Sequence, residues 1–372
     1  MQPLHHDTSP ISPIPSTALP RYLALAYTAL VIYASLHPFS GWRDLGLSPF
    51  AFLDAAWPRY WTVFDLTVNV FAYLPLGFLL ALTLHPVSTP VSTLISQPLL
   101  GRLSATLAAI LLVGLISLCL ESVQTWLPAR VPSNVDWACN TAGGTLGALL
   151  TLWHGERFFA QAGALQRRLF KPVPYPELGL VLLGLWLLTQ LSPETLLFGA
   201  GDLRHLLGLT PAVPYAAQSF FVIETAVIVC NSIAIGLIAR TLLTERASSP
   251  TVLALFFALA LTVRTLAAAI LVTPHDAWIW LTPGAALGLL MGGVILSLTL
   301  LLPALPRLAL AGLALMAGTV LVNLAPPNPY SAAALATWQQ GHFLNFNGLT
   351  RLTASLWPFL ALPYLTLLGR RL

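Results

Sequence analysis

The chain is 372 residues long, 57% hydrophobic and 8% charged, with a mean hydropathy of +0.80. Soluble globular domains carry about 25% charged residues, so this composition excludes a soluble enzyme, a disordered chain, a coiled coil, a disulfide scaffold and a nucleic-acid binder. What remains is an all-α, polytopic membrane protein, because a helix needs about 20 apolar residues to cross a bilayer; the net charge of +4 then reads as a topology signal.

Residues 1–20 predict a polar, Pro/Ser-rich cytoplasmic tail without the basic start of a signal peptide. Apolar runs over 21–38, 65–84, 104–126, 136–153, 178–197, 216–240, 250–273, 278–302, 305–325 and 350–369 predict ten transmembrane helices. Charges or Pro/Gly clusters such as Pro86/Pro90 and Pro326/Pro327/Pro329 punctuate them. Cys119, Cys139 and Cys230 lie in apolar stretches without metal spacing and read as small hydrophobes.

The basic residues orient the chain. With the N-terminus inside, Arg21, Arg102, Arg157, Arg167, Arg168, Lys171, Arg240, Arg246, Arg307, Arg370 and Arg371 fall on the inner ends, eleven in all. Arg43, Arg59, Arg130, Arg204 and Arg351 fall on the outer ends, five in all, and Arg264 lies within a span. Eleven against five predicts both termini inside. Trp42, Trp57, Trp61, Trp126, Trp137, Trp278, Trp280 and Trp338 then map near the outer face, where indoles favour the headgroup zone. Pro49 to Trp61 reads as a short interfacial piece.

Polar groups inside spans are costly and therefore informative. The second helix opens Asp65-Leu-Thr-Val-Asn69, an i, i+4 pair on one face, and continues to Pro75 and Gly77. The third closes on Glu121-Ser-Val-Gln124, and a short loop carries Arg130. The fourth begins Asp136-Trp-Ala-Cys-Asn140 and runs through Gly143, Gly144 and Gly147, a side-chain-poor stripe for close helix packing. All of these polar groups come out on the outer side. Asp65 and Asp136 also suit first-turn acids favoured by the helix dipole, a role that does not account for Glu121.

The ordered combination Asp-x-x-x-Asn, Leu-Pro-Leu-Gly, Glu-x-x-Gln, Arg, Asp-x-x-x-Asn-x-x-Gly resembles the VanZ-like membrane family over Arg21 to Trp153. The resemblance marks Asp65, Asn69, Pro75, Gly77, Glu121, Gln124, Arg130, Asp136, Asn140 and Gly143 as matching positions. It implies a cell-envelope protein associated with resistance to the glycopeptide teicoplanin, and a bacterial cytoplasmic membrane as its place. This chain is about twice the length of a minimal member.

The rest of the chain reads as a degenerate second copy. Leu36-His-Pro38 parallels Leu191-Ser-Pro193, Asp65 and Glu224 each precede a glycine (Gly77, Gly236) by 12, and Gly143–Gly147 parallels Gly284–Gly288. The expected organisation is a tail at 1–20, a VanZ-like four-helix unit at 21–153, a basic cytoplasmic loop at 154–177, a degenerate four-helix unit at 178–302 and two extra helices at 303–372. Glu224 and Arg264 fall at matching depth and are expected to pair, with Asn231 completing the network.

Three functions are open to such a chain. The outer cluster of Asp65, Asn69, Glu121, Gln124, Arg130, Asp136 and Asn140 suits binding of an outer-leaflet glycolipid, lipid-linked sugar or lipoglycopeptide. Paired carboxylates also suit a membrane enzyme acting on a lipid-linked substrate, or a cation held by Asp65, Glu121 and Asp136, although no nucleophile set accompanies them. Internal repeats suit a transporter or flippase. No cofactor and no nucleic-acid partner is implied. The amide-rich stretch Trp338 to Thr350 suits either a cap over a ligand or an ordinary interfacial loop.

Overall fold

A computed structural model describes residues 19–57, 62–85, 99–171, 173, 175–192, 194–210, 213–244, 249–271, 275, 277–326 and 344–370. Residues 1–18 of the predicted N-terminal tail and residues 338–343 of the 338–350 stretch lie outside them. The described residues form an all-helical protein, with one isolated bridge between Phe170 and Leu243. The helices are α1 (Leu19–Leu36), α2 (Val63–Leu84), α3 (Leu99–Gln124), α4 (Asn134–Leu169), α5 (Pro176–Thr189), α6 (Arg204–Leu207), α7 (Ala217–Leu242), α8 (Ser249–Leu271), α9 (Pro283–Thr299), α10 (Ala304–Leu324) and α11 (Leu344–Gly369).

Seven of them, α1, α2, α3, α7, α8, α10 and α11, are long and apolar enough to cross a membrane. The chain is a multi-pass membrane protein. At about 1.5 Å per residue, the 14 residues of α5 and 17 of α9 fall short of a hydrocarbon core. They lean on protein instead: α5 buries Val181, Leu182, Leu183 and Trp186, and α9 buries Gly284, Ala285, Gly288 and Gly292.

The chain divides into two compact units. One holds residues 43–160 with the start of the chain to Thr28, the other residues 29–42 with 161–372. The expected boundary at 153 is therefore not where the contacts divide, and the end of α1 belongs with the second unit. The expected loop at 154–177 also differs, because α4 continues as helix to Leu169. Its last turns carry Glu156, Arg157, Arg167 and Arg168; such residues are good helix formers, so charge ends the apolar run without ending the helix.

In the first unit, α2 and α4 meet backbone to backbone. A Cβ on Gly143 would overlap the Val70 carbonyl, one on Gly147 the Leu74 carbonyl, and one on Gly77 the Gly144 carbonyl. Gly144 in turn receives the Val113 side chain of α3. Below this contact Ala81, Ala109 and Ala148 form a small core in which each of the three helices supplies a methyl group.

In the second unit α7 is the central post. Its buried residues run from Phe220 to Leu242 and include Glu224, Asn231 and Arg240. Trp186, Phe198, Phe256 and Phe257 stack beside it at 5.3–6.0 Å between ring centroids. The helix predicted over 178–197 ends at Thr189, and the chain beyond it stays inside without being helical. Non-helical backbone is tolerated in such an interior only if its polar groups find partners. Arg264 of α8 donates to the Ser192 and Thr195 carbonyls, and Asn323 of α10 donates to Gly201 O (2.7 Å) and accepts from Leu203 N (3.0 Å). Gly201 N donates to Ala354 O (2.8 Å) and Ser355 Oγ to Asp202 O (2.5 Å), both on α11.

This use of Arg264 overturns the expected ion pair. Glu224 accepts a hydrogen bond from Thr282 Oγ1 (2.6 Å), not from Arg264. Asn231 does not join them. Its Nδ2 donates to Val227 O within α7 (2.9 Å), and its side chain fills the space left by Gly318 of α10. The two charges meet different neighbours.

The helix carrying glycines packs on the helix carrying an acid in both units, α4 on α2 and α9 on α7. The register differs. Gly143 meets Val70, five residues after Asp65, whereas Gly284 meets Glu224 itself.

Candidate functional site

The polar residues of the first unit are set by how α2 and α4 begin. Thr62 caps α2: its hydroxyl accepts from Asp65 N (3.1 Å), while Asp65 Oδ2 takes both the backbone N–H of Thr62 (3.2 Å) and its hydroxyl (2.7 Å). Asp65 is thus the reciprocal arm of a capping box. Ser133 caps α4 in the same way, accepting from Val135 N (3.2 Å) and Asp136 N (3.3 Å).

The second box is incomplete in an instructive way. The Ser133 amide donates to Glu121 Oε2 (2.9 Å) on the last turn of α3, in the place Asp136 would have taken. Asp136 is released to face α2, where Asn69 Nδ2 donates to its Oδ1 (2.7 Å). Asn69 can reach because the next residue, Val70, touches Gly143. The glycine contact therefore sets the distance across which the polar pair meets.

Asn140, one turn further into α4, donates to Ser117 Oγ on α3 (3.0 Å), and Trp137 Nε1 donates to Gly114 O (3.0 Å). Arg130 is half-buried. Burial draws its guanidinium below the usual arginine value, and the nearby Glu121 carboxylate opposes that shift. Asp136 interacts electrostatically with both Glu121 and Asp65. Asp65, Asn69, Glu121, Arg130, Asp136 and Asn140 are thus gathered by the ends of three helices. Gln124 is buried on the same turn of α3 that follows Glu121.

Among the described residues no group of three or more His, Cys, Asp or Glu side chains could hold a metal ion, and Asp65 is engaged in the α2 cap. The alternative of a cation held by Asp65, Glu121 and Asp136 therefore finds no such group among the described residues. His37, in the second unit, is hydrogen-bonded to Tyr33 (2.9 Å) and packed against Gly348. All three cysteines are free.

The remaining hydrogen-bonding capacity is one-sided. Glu121 is only 4% exposed and takes one donor, although a carboxylate has about four acceptor sites. Asp136 accepts one hydrogen bond among the described residues, from Asn69. Asn140 Oδ1, Ser122 Oγ and Thr125 Oγ1 are buried without partners among the described residues. The acceptor capacity left over lies on the Glu121 and Asp136 carboxylates and on Asn140 Oδ1, whereas the two hydroxyls can donate as well as accept.

Residues 20–155 match the VanZ/LLP1 family model, a stretch that contains every residue of this cluster. Over this region the chain resembles the VanZ/LLP1 family. Comparison with curated proteins and with solved structures gave no match. The VanZ-like segment ends within α4, and the helices of the second unit from α5 onward lie beyond it.

Three residues of the VanZ-like site were not singled out from sequence: Thr62, Ser117 and Ser133. Two had a readable signal. Thr62-x-x-Asp65 and Ser133-x-x-Asp136 both fit the spacing of a capping box. Ser117 had none, since a serine in an apolar helix has no pattern of its own.

Proposed function

We propose that the VanZ-like cluster binds the polar head of a glycolipid, lipid-linked sugar or lipoglycopeptide in the outer leaflet of a bacterial cytoplasmic membrane. The observation that carries this reading is the surplus of buried acceptors. Leaving such groups unpaired costs about 1–3 kcal/mol each, more for charges, so the site favours a ligand rich in donors. Hydroxyl and ammonium groups of a glycan or glycopeptide meet that demand, and Arg130 adds a donor for phosphate or carboxylate.

The N-in, C-in orientation, supported by the arginine distribution, puts the cluster on the outer side. Glu121 lies three residues from the end of α3, not mid-span, which favours binding over transport. The family's tie to teicoplanin fits a glycan-bearing amphiphile.

The test is native mass spectrometry of the full chain in detergent with a lipid-linked disaccharide. Glu121→Gln and Asp136→Asn should each weaken binding about tenfold or more, since a hydrogen bond to a charged group contributes about 1.5–3 kcal/mol and each 1.4 kcal/mol is a decade. Glu194→Gln, whose partner is Arg351 in the second unit, should leave binding unchanged. Asp65→Asn should cost less, because Asp65 already serves the α2 cap. Full binding by both Glu121→Gln and Asp136→Asn would sink the reading.

A further inference from the structure

Residues 43–57, between α1 and α2, turn almost every side chain outward. Leu47 is 58% exposed, Phe50 54% and Trp57 74%, while Phe52 alone among the large apolar residues is buried, at 5%. The segment is not loose. Gly46 N is held by Asp44 Oδ1 (2.9 Å), and successive turns run through 50–55.

It is also tied at both ends beside the cluster. Arg43 N donates to Trp126 O (3.0 Å), two residues after Gln124, and Asn134 Nδ2 donates to Ala55 O (2.7 Å), two residues before Asp136. The two tethers bracket the loop between α3 and α4 from which Arg130 and Ser133 reach Glu121.

A water-facing segment with this much bare apolar surface is unfavourable at about 25 cal/mol per Å². The chain on either side of it enters α1 and α2, both candidate spans. Such a surface suits a lipid boundary continuous with those spans better than a solvent compartment.

We propose that residues 43–57 form an interfacial strap. Its outward face seats in the headgroup–acyl boundary of the bilayer, and its tethers hold it beside the VanZ-like cluster. Tryptophan and aliphatic side chains with occasional charges suit that depth. A further consequence rests on the ligand-binding reading: an amphiphile reaches the cluster laterally from the leaflet, with its apolar part alongside the strap.

The seating is tested without any ligand. Spin labels are placed at Leu47→Cys, Phe50→Cys and, as a lipid-facing reference, Leu111→Cys, in the full chain with Cys119, Cys139 and Cys230 replaced by alanine. The protein is reconstituted in phosphatidylglycerol/phosphatidylethanolamine vesicles, and collision with oxygen and with a nickel chelate is measured. Labels at 47 and 50 should favour oxygen, at a shallower depth than the label at 111. Preference for the nickel chelate would place the segment in water and overturn the proposal. Low access to both reagents would place it against protein and overturn it equally.

Asn134→Ala tests the tether. A label at Leu53→Cys should gain mobility in that background, and an unchanged spectrum would show that the strap is held some other way. Because neither readout uses a ligand, loss of the strap and loss of the binding reading are separate results.

Discussion

Gly143→Ala should destabilise the protein by about 3 kcal/mol, the upper end of the usual overpacking range, and should open the Asn69–Asp136 contact with it. A Cβ at this position falls on the Val70 carbonyl. A flexible side chain could rotate away, but a carbonyl inside α2 cannot move without the helix. The gain in helix propensity from glycine to alanine, about 1 kcal/mol, partly offsets the cost. Gly184→Ala isolates that gain, since nothing lies within 4 Å of its Cβ; it should be neutral or slightly stabilising. Unfolding titration in mixed micelles would check both. Equal stability of Gly143→Ala and the parent chain would mean that α2 and α4 are not held at this distance. Because Val70 follows Asn69 directly, the same wedge should weaken ligand binding beyond what stability alone explains.

The same pair of positions shows what could be read in advance. The glycine stripe of α4 is visible as spacing, because only small residues allow helix axes to approach within lipid. The spans were visible because the bilayer fixes a length of apolar chain. First-turn acids were visible at Asp65 and Asp136 because capping has a local grammar. Their division of labour was not. Asp65 closes its own box, whereas Asp136 loses the Ser133 amide to Glu121 and turns to Asn69. That choice depends on where α3 ends in space, and no spacing within α4 encodes it.

Hydropathy failed for related reasons at two boundaries. The run 178–197 is apolar only as far as Leu188. α5 ends at Thr189, ahead of Gln190, Ser192, Pro193 and Glu194, and Gln190, Ser192 and Leu197 are buried without being helical, so mean hydropathy hid the polar break. The stretch 154–169 is polar and charged, yet it continues α4, since leaving lipid does not require leaving the helix. The expected partnership of Glu224 and Arg264 failed on azimuth. Counting residues from the helix ends cannot say which neighbours each would face.

Arg264→Ala should be among the most damaging single substitutions in the second unit. The guanidinium is 3% exposed and serves the carbonyls of Ser192 and Thr195, which close the end of α5 and begin the buried chain behind it. Each carbonyl left without a donor costs about 1–3 kcal/mol, so the loss is several kcal/mol, comparable with the whole stability of many proteins. Arg264→Lys should recover only part of it, because one ammonium lacks the planar fork that spans two acceptors. Glu224→Ala should be mild, since it removes a buried acid whose partner is the Thr282 hydroxyl. The double change Glu224→Ala/Arg264→Ala should then be as damaging as the sum of the two single changes, because residues without shared partners act additively within about 0.5 kcal/mol. Thermal unfolding of the four detergent-purified proteins, followed by loss of the monodisperse peak, gives the cycle. A double variant restored toward the parent would mean that the two charges do pair within the membrane. An additive result would leave Arg264 as the clamp on the interior chain from Ser192 to Thr195.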